Sequence, residues 1–279
     1  MSTLKIAVLD LNEGMKNEGM RCIREILERV QSSHYKNLTW EEFEVRKSIQ
    51  IPSLDFDIYI SSGGPGSPLD SKNTAWENSY FNWLNTVNQW NNDPSNARKK
   101  YVFLICHSFQ LACRCFGIAE VIKRKSTSFG IFPIHILKHH GAIDMIFNGL
   151  KDPFFGVDSR DYQVVQPDKK KVQELGGEIL CIEKERPHIP LERAVMAIRF
   201  NPYMVGTQFH PEADASGMSM YLMQDDKKKH VIENHGLEKW ESMIEHLNDP
   251  DKISLTNSRI LPNFIMQSIA ALNNPPSLS

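Results

Sequence analysis

Residues 101–117 read YVFLICHSFQLACRCFG, an apolar run followed by a cysteine and then by a helical pattern. The run Tyr101–Ile105 is short and rich in branched and aromatic residues, which predicts a buried strand. Ser108–Phe116 predicts a helix, and Gly117 stands where a helix commonly ends. A strand that leads directly into a helix is typical of an open α/β sheet, whose chemistry lies at the carboxyl ends of the strands. Cys106 occupies such a position.

A second apolar run, residues 204–209, leads into His210-Pro211-Glu212. A thiol and an imidazole, each at the carboxyl end of a predicted strand, suit the nucleophile and the base of a cysteine-dependent enzyme, and a carboxylate two residues further on can orient the imidazole. Taken alone, Cys106 is more simply explained as a buried structural cysteine. Together, Cys106, His210 and Glu212 predict a catalytic triad.

A glycine-rich loop, SSGGPGSP at residues 61–68, follows another predicted strand, Asp57–Ile60. Glycines permit backbone conformations that bring N–H groups close to a ligand. We expect Gly64 and the backbone N–H of His107 to form an oxyanion hole, beside Gly63.

The rest of the chain alternates strands and helices up to about residue 120, beginning with a strand at Leu4–Asp10 and a helix at Gly19–Val30. Residues 121–205 instead contain several short strand signals, which favour an antiparallel portion. Beyond Glu212, three helical segments are predicted, at 218–223, 230–247 and 260–272. We expect residues 1–213 to form the catalytic domain and residues 214–279 a helical extension packed on it.

Composition limits the partners. The chain has 279 residues, a net charge of −2 and no run of eighteen apolar residues, so it lacks the basic field typical of nucleic-acid binding and the span needed to cross a membrane. Its five cysteines are odd in number and irregularly spaced, which indicates reduced thiols and a cytoplasmic location. Cys113 and Cys115 lack a matching second ligand pair, so neither a metal nor another cofactor is expected.

The motifs SSGGPGSP, ICHSFQ and GTQFHPE, in this order, resemble those of the class I (triad-type) glutamine amidotransferases, over roughly residues 4–212. The most similar members are the glutaminase portion of GMP synthase and stand-alone proteins like it. The resemblance implies a flavodoxin-like three-layer α/β fold with an open, mostly parallel sheet. It also implies that Cys106 attacks a γ-glutamyl amide to give a thioester, and that ammonia or an amine leaves. A separate synthase subunit would accept the ammonia, and Gln110 and Gly63 would help to bind the small-molecule substrate.

Three residues depart from the family pattern. Leu104 and Ser108 replace the glycines two residues before and after the nucleophile, which questions how tight the turn is. Ser159-Arg160 stands where relatives read Ser-His, in a region that holds the substrate. Arg160 either lines the substrate pocket, where its planar fork suits a carboxylate, or is a surface residue paired with Asp158 or Asp161.

Two other interpretations remain open. Cys106-His107 also resembles the turn of the DJ-1/PfpI group, although Gln110 and the H-P-E motif favour an amidotransferase. Alternatively, the chain is a binding or regulatory protein that kept the triad but lost turnover.

Overall fold

The computed structural model describes residues 3–187 and 191–274. Within this part of the chain, nine strands numbered in chain order as β1–β9 span Leu4–Asp10, Leu38–Glu44, Ile58–Ser61, Tyr101–Ile105, Glu120–Ile136, Phe154–Val165, Glu178–Glu183, Val195–Asn201 and Met204–Thr207. The α-helices described, α1–α8, span Glu18–Ser33, Ala75–Asn92, His107–Phe116, Lys169–Glu174, Ala215–Leu222, Asp225–His235, Leu237–Asn248 and Leu255–Asn273. A 3₁₀ turn covers Met145–Phe147, and a π-helical turn at Pro250–Ser254 leads into α8.

The strands form one mixed sheet in the order β2-β1-β3-β4-β9-β8-β7-β5-β6. The strands β2, β1, β3, β4 and β9 pair in parallel. From β9 outwards to β6, every pairing is antiparallel. The expected α/β fold with an added antiparallel portion is therefore confirmed.

Helices cover both faces of the parallel half, so its central strands β3, β4 and β9 are buried on both sides. Along β1, Ile6 and Val8 face a cluster that includes α1 and α8, whereas Ala7 and Leu9 face a cluster that includes α2 and α3. The alternation follows from the two-residue period of a strand. These two clusters and the sheet between them make the three layers.

The helical extension is in close contact with the rest of the fold. The ring of Phe264 on α8 lies edge-on to that of Phe103 on β4, with 5.1 Å between centroids. The hydroxyl of Thr256 donates a hydrogen bond to the carbonyl oxygen of Phe155, over 2.6 Å. A third apolar cluster joins β5 and β6 to helices α5–α7, through residues such as Ile131, Leu222 and Met243.

Three segments differ from the sequence expectations. Among the short strands expected in residues 121–205, the one at Gly130–Leu137 extends back to Glu120 in the structure, because the polar first half of β5 pairs with β6 in an exposed ribbon rather than with the core. The segment 230–247 forms parts of two helices, since Gly236 breaks it with a φ of +87°. The short helix α4 was not anticipated. Within the described part of the chain, no helix has the length and apolarity to span a membrane.

Candidate active site

Cys106 lies in the sharp turn between β4 and α3, with φ +49° and ψ −98°. Positive φ is uncommon for a residue other than glycine and indicates a strained turn of the kind that presents a nucleophile. The backbone N–H of Cys106 donates to the carbonyl oxygen of Thr207 at the end of β9, over 2.7 Å. The turn is thus tied directly to the strand that precedes His210.

Ser108 stabilises this turn. Its hydroxyl accepts a hydrogen bond from the N–H of Ile105 over 2.7 Å and lies 2.9 Å from the carbonyl oxygen of Ser61, to which it donates. The serine that replaces a family glycine therefore links the turn to the end of β3.

Leu104 is accommodated by the neighbouring strand. It is fully buried and lies opposite Gly206 of β9. A Cβ atom on Gly206 would come within 3.2 Å of the Cβ of Leu104 and 2.8 Å of the ring of Phe109. Because Gly206 leaves this space free, the turn remains tight despite the larger residue at 104.

His210 and Glu212 form a hydrogen-bonded pair. The Nδ1 of His210 lies 2.8 Å from Oε1 of Glu212, whose side chain is buried. The backbone N–H of His210 donates to the carbonyl oxygen of Val157 on β6, also over 2.8 Å, which fixes the start of this segment. A carboxylate on Nδ1 leaves Nε2 available for proton transfer.

The pKa of His210 reflects this environment. Burial acts to lower the pKa, but the charge of Glu212 and the nearby Cys106 outweigh it and hold the pKa of His210 well above its ordinary value. The imidazolium form is therefore favoured next to the thiol.

The side chains of Cys106 and His210 both lie next to Gly63. An atom placed as the Cβ of Gly63 would lie 2.8 Å from Cε1 of His210 and 3.6 Å from the Cβ of Cys106. Gly63 thus contacts both residues, and a side chain at this position would displace the imidazole. The structure brings the expected nucleophile, base and carboxylate together at one rim of the sheet.

The two expected oxyanion-hole residues, Gly64 and His107, line the same cavity as Cys106 and His210. His107 is the first residue of α3, so its backbone N–H has no partner within the helix. A Cβ on Gly64 would lie 2.5 Å from the carbonyl oxygen of Leu11, so only glycine fits there. The ring of His107 is buried, and burial, together with Arg46 and Arg114, lowers its pKa to about 3. The His107 ring is therefore neutral at physiological pH.

Gln110 lies in the wall of the cavity of about 320 Å³ that contains Cys106, and the fully buried Gln208, a residue to which the sequence motifs assign no role, lies behind it. The amide nitrogen of Gln110 donates to the side-chain oxygen of Gln208 over 3.1 Å and to the carbonyl oxygen of Tyr162 over 3.2 Å. The amide nitrogen of Gln208 lies 3.7 Å from the sulfur of Cys106. In the sequence, the position of Gln208 two residues before His210 is the signal that places it near the site.

Arg160 lines the cavity and is buried, so the expectation of a surface arginine was wrong. The alternative partner Asp158 is nevertheless present: Nε of Arg160 lies 2.7 and 2.9 Å from its two carboxylate oxygens. Asp161 instead accepts a hydrogen bond from Thr127. Ser159 also lines the cavity, and its carbonyl oxygen lies 4.0 Å from the sulfur of Cys106.

Asn257 on α8 contacts the triad from the helical extension. Its side-chain amide donates to the carbonyl oxygen of Glu212 over 2.7 Å, and its own oxygen accepts from Arg29 over 3.1 Å. No local sequence pattern indicates this contact, because it depends on how α8 packs.

Two adjoining cavities surround the triad. The first, of about 320 Å³, contains Cys106, Gln110 and the glycine loop. The second, of about 180 Å³, shares His210 and Glu212 with it and extends between apolar side chains that include Phe129, Val157 and Met218. The first volume is at the small end of ligand pockets.

Residues 7–229 match the family described as Glutamine amidotransferase class-I. No curated protein matches the chain. Among solved structures, a glutamine amidotransferase from Thermotoga maritima is 12% identical and aligns with a TM-score of 0.67 over 96% of this chain and 99% of its own.

Two further solved structures share the fold. A protein from Thermoplasma acidophilum, described as one subunit of a GMP synthase, is 19% identical with a TM-score of 0.51, over 76% of this chain and 86% of its own. The glutaminase domain of Trypanosoma brucei CTPS, with bound acivicin, is 12% identical with a TM-score of 0.54, over 77% and 89%. At these identities, the structural similarity establishes the fold alone.

Proposed function

The chain belongs to the class I glutamine amidotransferase family, and we propose that it hydrolyses a γ-glutamyl amide through a γ-glutamyl thioester on Cys106. The observation that carries the proposal is the His210–Glu212 hydrogen bond of 2.8 Å beside a cysteine held in a strained strand-to-helix turn. This arrangement supplies a nucleophile, a proton carrier and an orienting carboxylate in one cavity.

In the first half of the proposed reaction, the thiolate of Cys106 attacks the amide carbon and a C–S bond forms. The carbonyl oxygen becomes an oxyanion beside the backbone N–H groups of Gly64 and His107. His210 gives its proton to the amide nitrogen, the C–N bond breaks, and ammonia or an amine leaves. The raised pKa of His210 suits it to hold that proton until this step.

In the second half, His210 takes a proton from water, and the resulting hydroxide attacks the thioester carbon. The C–S bond then breaks, glutamate is released, and the thiolate and the imidazolium are restored. Neither half requires an oxidant, a reductant or a second substrate other than water.

The cavity wall beside the nucleophile is assigned to the glutamyl part of the substrate. Gln110 and Arg160 both donate to the carbonyl oxygen of Tyr162, over 3.2 and 3.3 Å, so they stabilise the same stretch of β6. We assign Gln110, Arg160, Ser159 and Gly63 to substrate binding.

The leaving group has more space than ammonia requires. The leaving nitrogen must lie near His210, which also lines the second, more apolar cavity of about 180 Å³. A γ-glutamyl derivative of an apolar amine would place its substituent there and bury apolar surface. We therefore propose γ-glutamyl derivatives of apolar amines as substrates in addition to glutamine.

The first test is covalent labelling of the full chain with 6-diazo-5-oxo-norleucine, followed by intact mass measurement. One adduct on Cys106 is expected, and none in Cys106→Ser. Cys115→Ser is the matched control, because this half-exposed thiol lies on the same helix outside the cavity. The control should be labelled as the wild type is.

The second test measures release of ammonia from glutamine and of amine from γ-glutamyl anilide and γ-glutamyl benzylamide. Turnover of any of these, lost in Cys106→Ser, supports the proposal. An unlabelled Cys106 together with no release from any of the three substrates would instead identify a binding or regulatory protein.

A further inference from the structure

A third cavity, of about 330 Å³, lies on the other side of Arg160, between the antiparallel half of the sheet and α7. Four basic side chains line it, namely Arg124, Lys184, Arg186 and Lys239. Neither Cys106 nor His210 is among the residues that line it. The cavity shares Thr127 with the catalytic cavity, and the Asp158–Arg160 ion pair lies at the border between them.

Two of the basic groups are held against one aromatic ring. The ammonium nitrogen of Lys184 lies 4.7 Å from the centre of the Phe132 ring, and that of Lys239 lies 4.4 Å from it. Among the side chains that the structure describes, no ion pair joins Lys184 or Lys239 to a carboxylate. Burial, and then the charge of Lys184, lower the pKa of Lys239, as expected for two cations brought close together.

The carboxylates of the cavity are already paired. Glu183 lies 2.5 Å from Arg186, 3.4 Å from Arg124 and 3.5 Å from Arg160. Asp158 is paired with Arg160 over 2.7 Å. The positive charge of the two lysines is therefore left without compensation from these acids.

Apart from Thr127 and Ser128, the remaining lining is apolar and includes Pro133, Ile134 and Met196 beside the Phe132 ring. An occupant that satisfies both features carries two negative charges for the lysines and a small apolar body for the ring and its neighbours. An anion that contacts both ammonium groups would also offset their mutual repulsion.

We propose that this cavity binds a small organic dianion, a phosphate monoester or a dicarboxylate, with Lys184 and Lys239 as its charge partners. The site is separate from the catalytic cavity, and it does not depend on the function proposed above. Lys239 comes from the helical extension and Lys184 directly follows β7, so the extension completes the site.

Isothermal titration calorimetry of the full chain with three probes tests the proposal: phenyl phosphate, succinate and the neutral phenol. Phenyl phosphate or succinate is expected to bind, and phenol is expected not to. Tighter binding of phenyl phosphate would identify a phosphate monoester as the ligand class, and tighter binding of succinate a dicarboxylate.

The variant Lys184→Gln/Lys239→Gln should weaken binding of the preferred anion by about tenfold or more, which corresponds to about 1.4 kcal/mol. Lys170→Gln/Lys229→Gln is the matched control, since it removes the same charge from two exposed lysines. It should bind as the wild type does.

Thermal unfolding of the double variant shows whether weaker binding results from the loss of the two lysines or from a loss of folded protein. Because the loss of repulsion between the two ammonium groups offsets the loss of their contacts with the Phe132 ring, Lys184→Gln/Lys239→Gln should unfold close to the temperature of the wild type without ligand. The proposal is overturned if neither anion binds, if phenol binds as tightly as phenyl phosphate, or if the folded double variant retains wild-type affinity.

Discussion

Asn257 donates a hydrogen bond from its side-chain amide to the backbone carbonyl oxygen of Glu212, over 2.7 Å. Glu212 in turn holds Nδ1 of His210. A residue of the C-terminal helix α8 thus fixes the backbone of the residue that orients the imidazole. We infer that Asn257 is a positioning residue for the proposed reaction.

The variant Asn257→Ala should lower kcat by about tenfold to a hundredfold and leave KM nearly unchanged, because a small displacement of Glu212 misorients His210. Steady-state kinetics and the pH dependence of kcat measure this effect. Asn263→Ala is the matched control: Asn263 also lies on α8 and donates to backbone carbonyls, at Ile146 and Asn148, away from the triad. Equal losses in both variants would indicate a general effect of α8 on stability.

The variant Glu212→Gln should change how stability depends on pH. The pKa of His210 is raised in the folded protein, so its contribution to the free energy of unfolding is fully present below about pH 6.5 and is lost as the pH rises through the raised pKa. The free energy of unfolding of the wild type should exceed that of Glu212→Gln by about 2 kcal/mol near pH 6. This difference should become smaller at higher pH.

Urea unfolding between pH 6 and pH 9 measures this difference. Glu120→Gln, at an exposed position of β5, serves as the control and should show a small, pH-independent change. A difference between the wild type and Glu212→Gln that stays constant across this range would show that Glu212 does not set the pKa of His210.

The variant Gly206→Ala should destabilise the fold by about 1–3 kcal/mol, because its Cβ would be crowded by Leu104 and Phe109. Introduced together with Leu104→Gly, the same change should cost less, since one of the two contacts is removed. Denaturant unfolding of the two single variants and the double variant gives the coupling. Simple additivity would rule out the proposed accommodation of Leu104 by Gly206.

The variant Arg160→Ala should raise KM for γ-glutamyl substrates by about tenfold, because Arg160 bonds the carbonyl oxygen of Tyr162 in the wall that is proposed to bind them. It should also destabilise the protein, because Asp158 and Glu183 lose a buried partner. Arg193→Ala is the control, as Arg193 bonds the backbone of Glu183 away from the catalytic cavity. An unaltered KM for every substrate tested would remove Arg160 from the substrate site.

A chain that ends at residue 213 should fail to fold cooperatively, because it lacks α8 and the edge-on contact of Phe264 with Phe103. Thermal unfolding followed by circular dichroism, with the intact chain as the control, measures this. A sharp transition in the shortened chain would show that residues 1–213 fold as an independent domain.

The parallel half of the fold could be predicted from sequence because its signals are local. The strand β4, the turn at Cys106 and the helix α3 each carry their own pattern, and the position of His210 follows from the same reasoning for β9. Family membership confirms the interpretation that these motifs suggested. The cytoplasmic location and a separate synthase partner remain predictions.

Other features depend on contacts between distant segments. The polar residues that open β5 give no strand signal, since pairing with β6 rather than burial holds them extended. Asn257 and Lys239 belong to helices whose sequence patterns indicate an apolar face. The patterns do not indicate that Asn257 contacts the carbonyl group of Glu212 or that Lys239 lies near Lys184. Only the packed structure brings them to the triad and to the third cavity.

The strands β4 and β9 are neighbours in the sheet, although β5–β8 separate them in the chain. The pairing of β4 with β9 therefore brings the nucleophile and the base together, while the intervening antiparallel segment contributes part of the walls of the cavities. Changes in the length or sequence of that segment can therefore alter the ligands bound and leave the pairing of β4 with β9 unchanged.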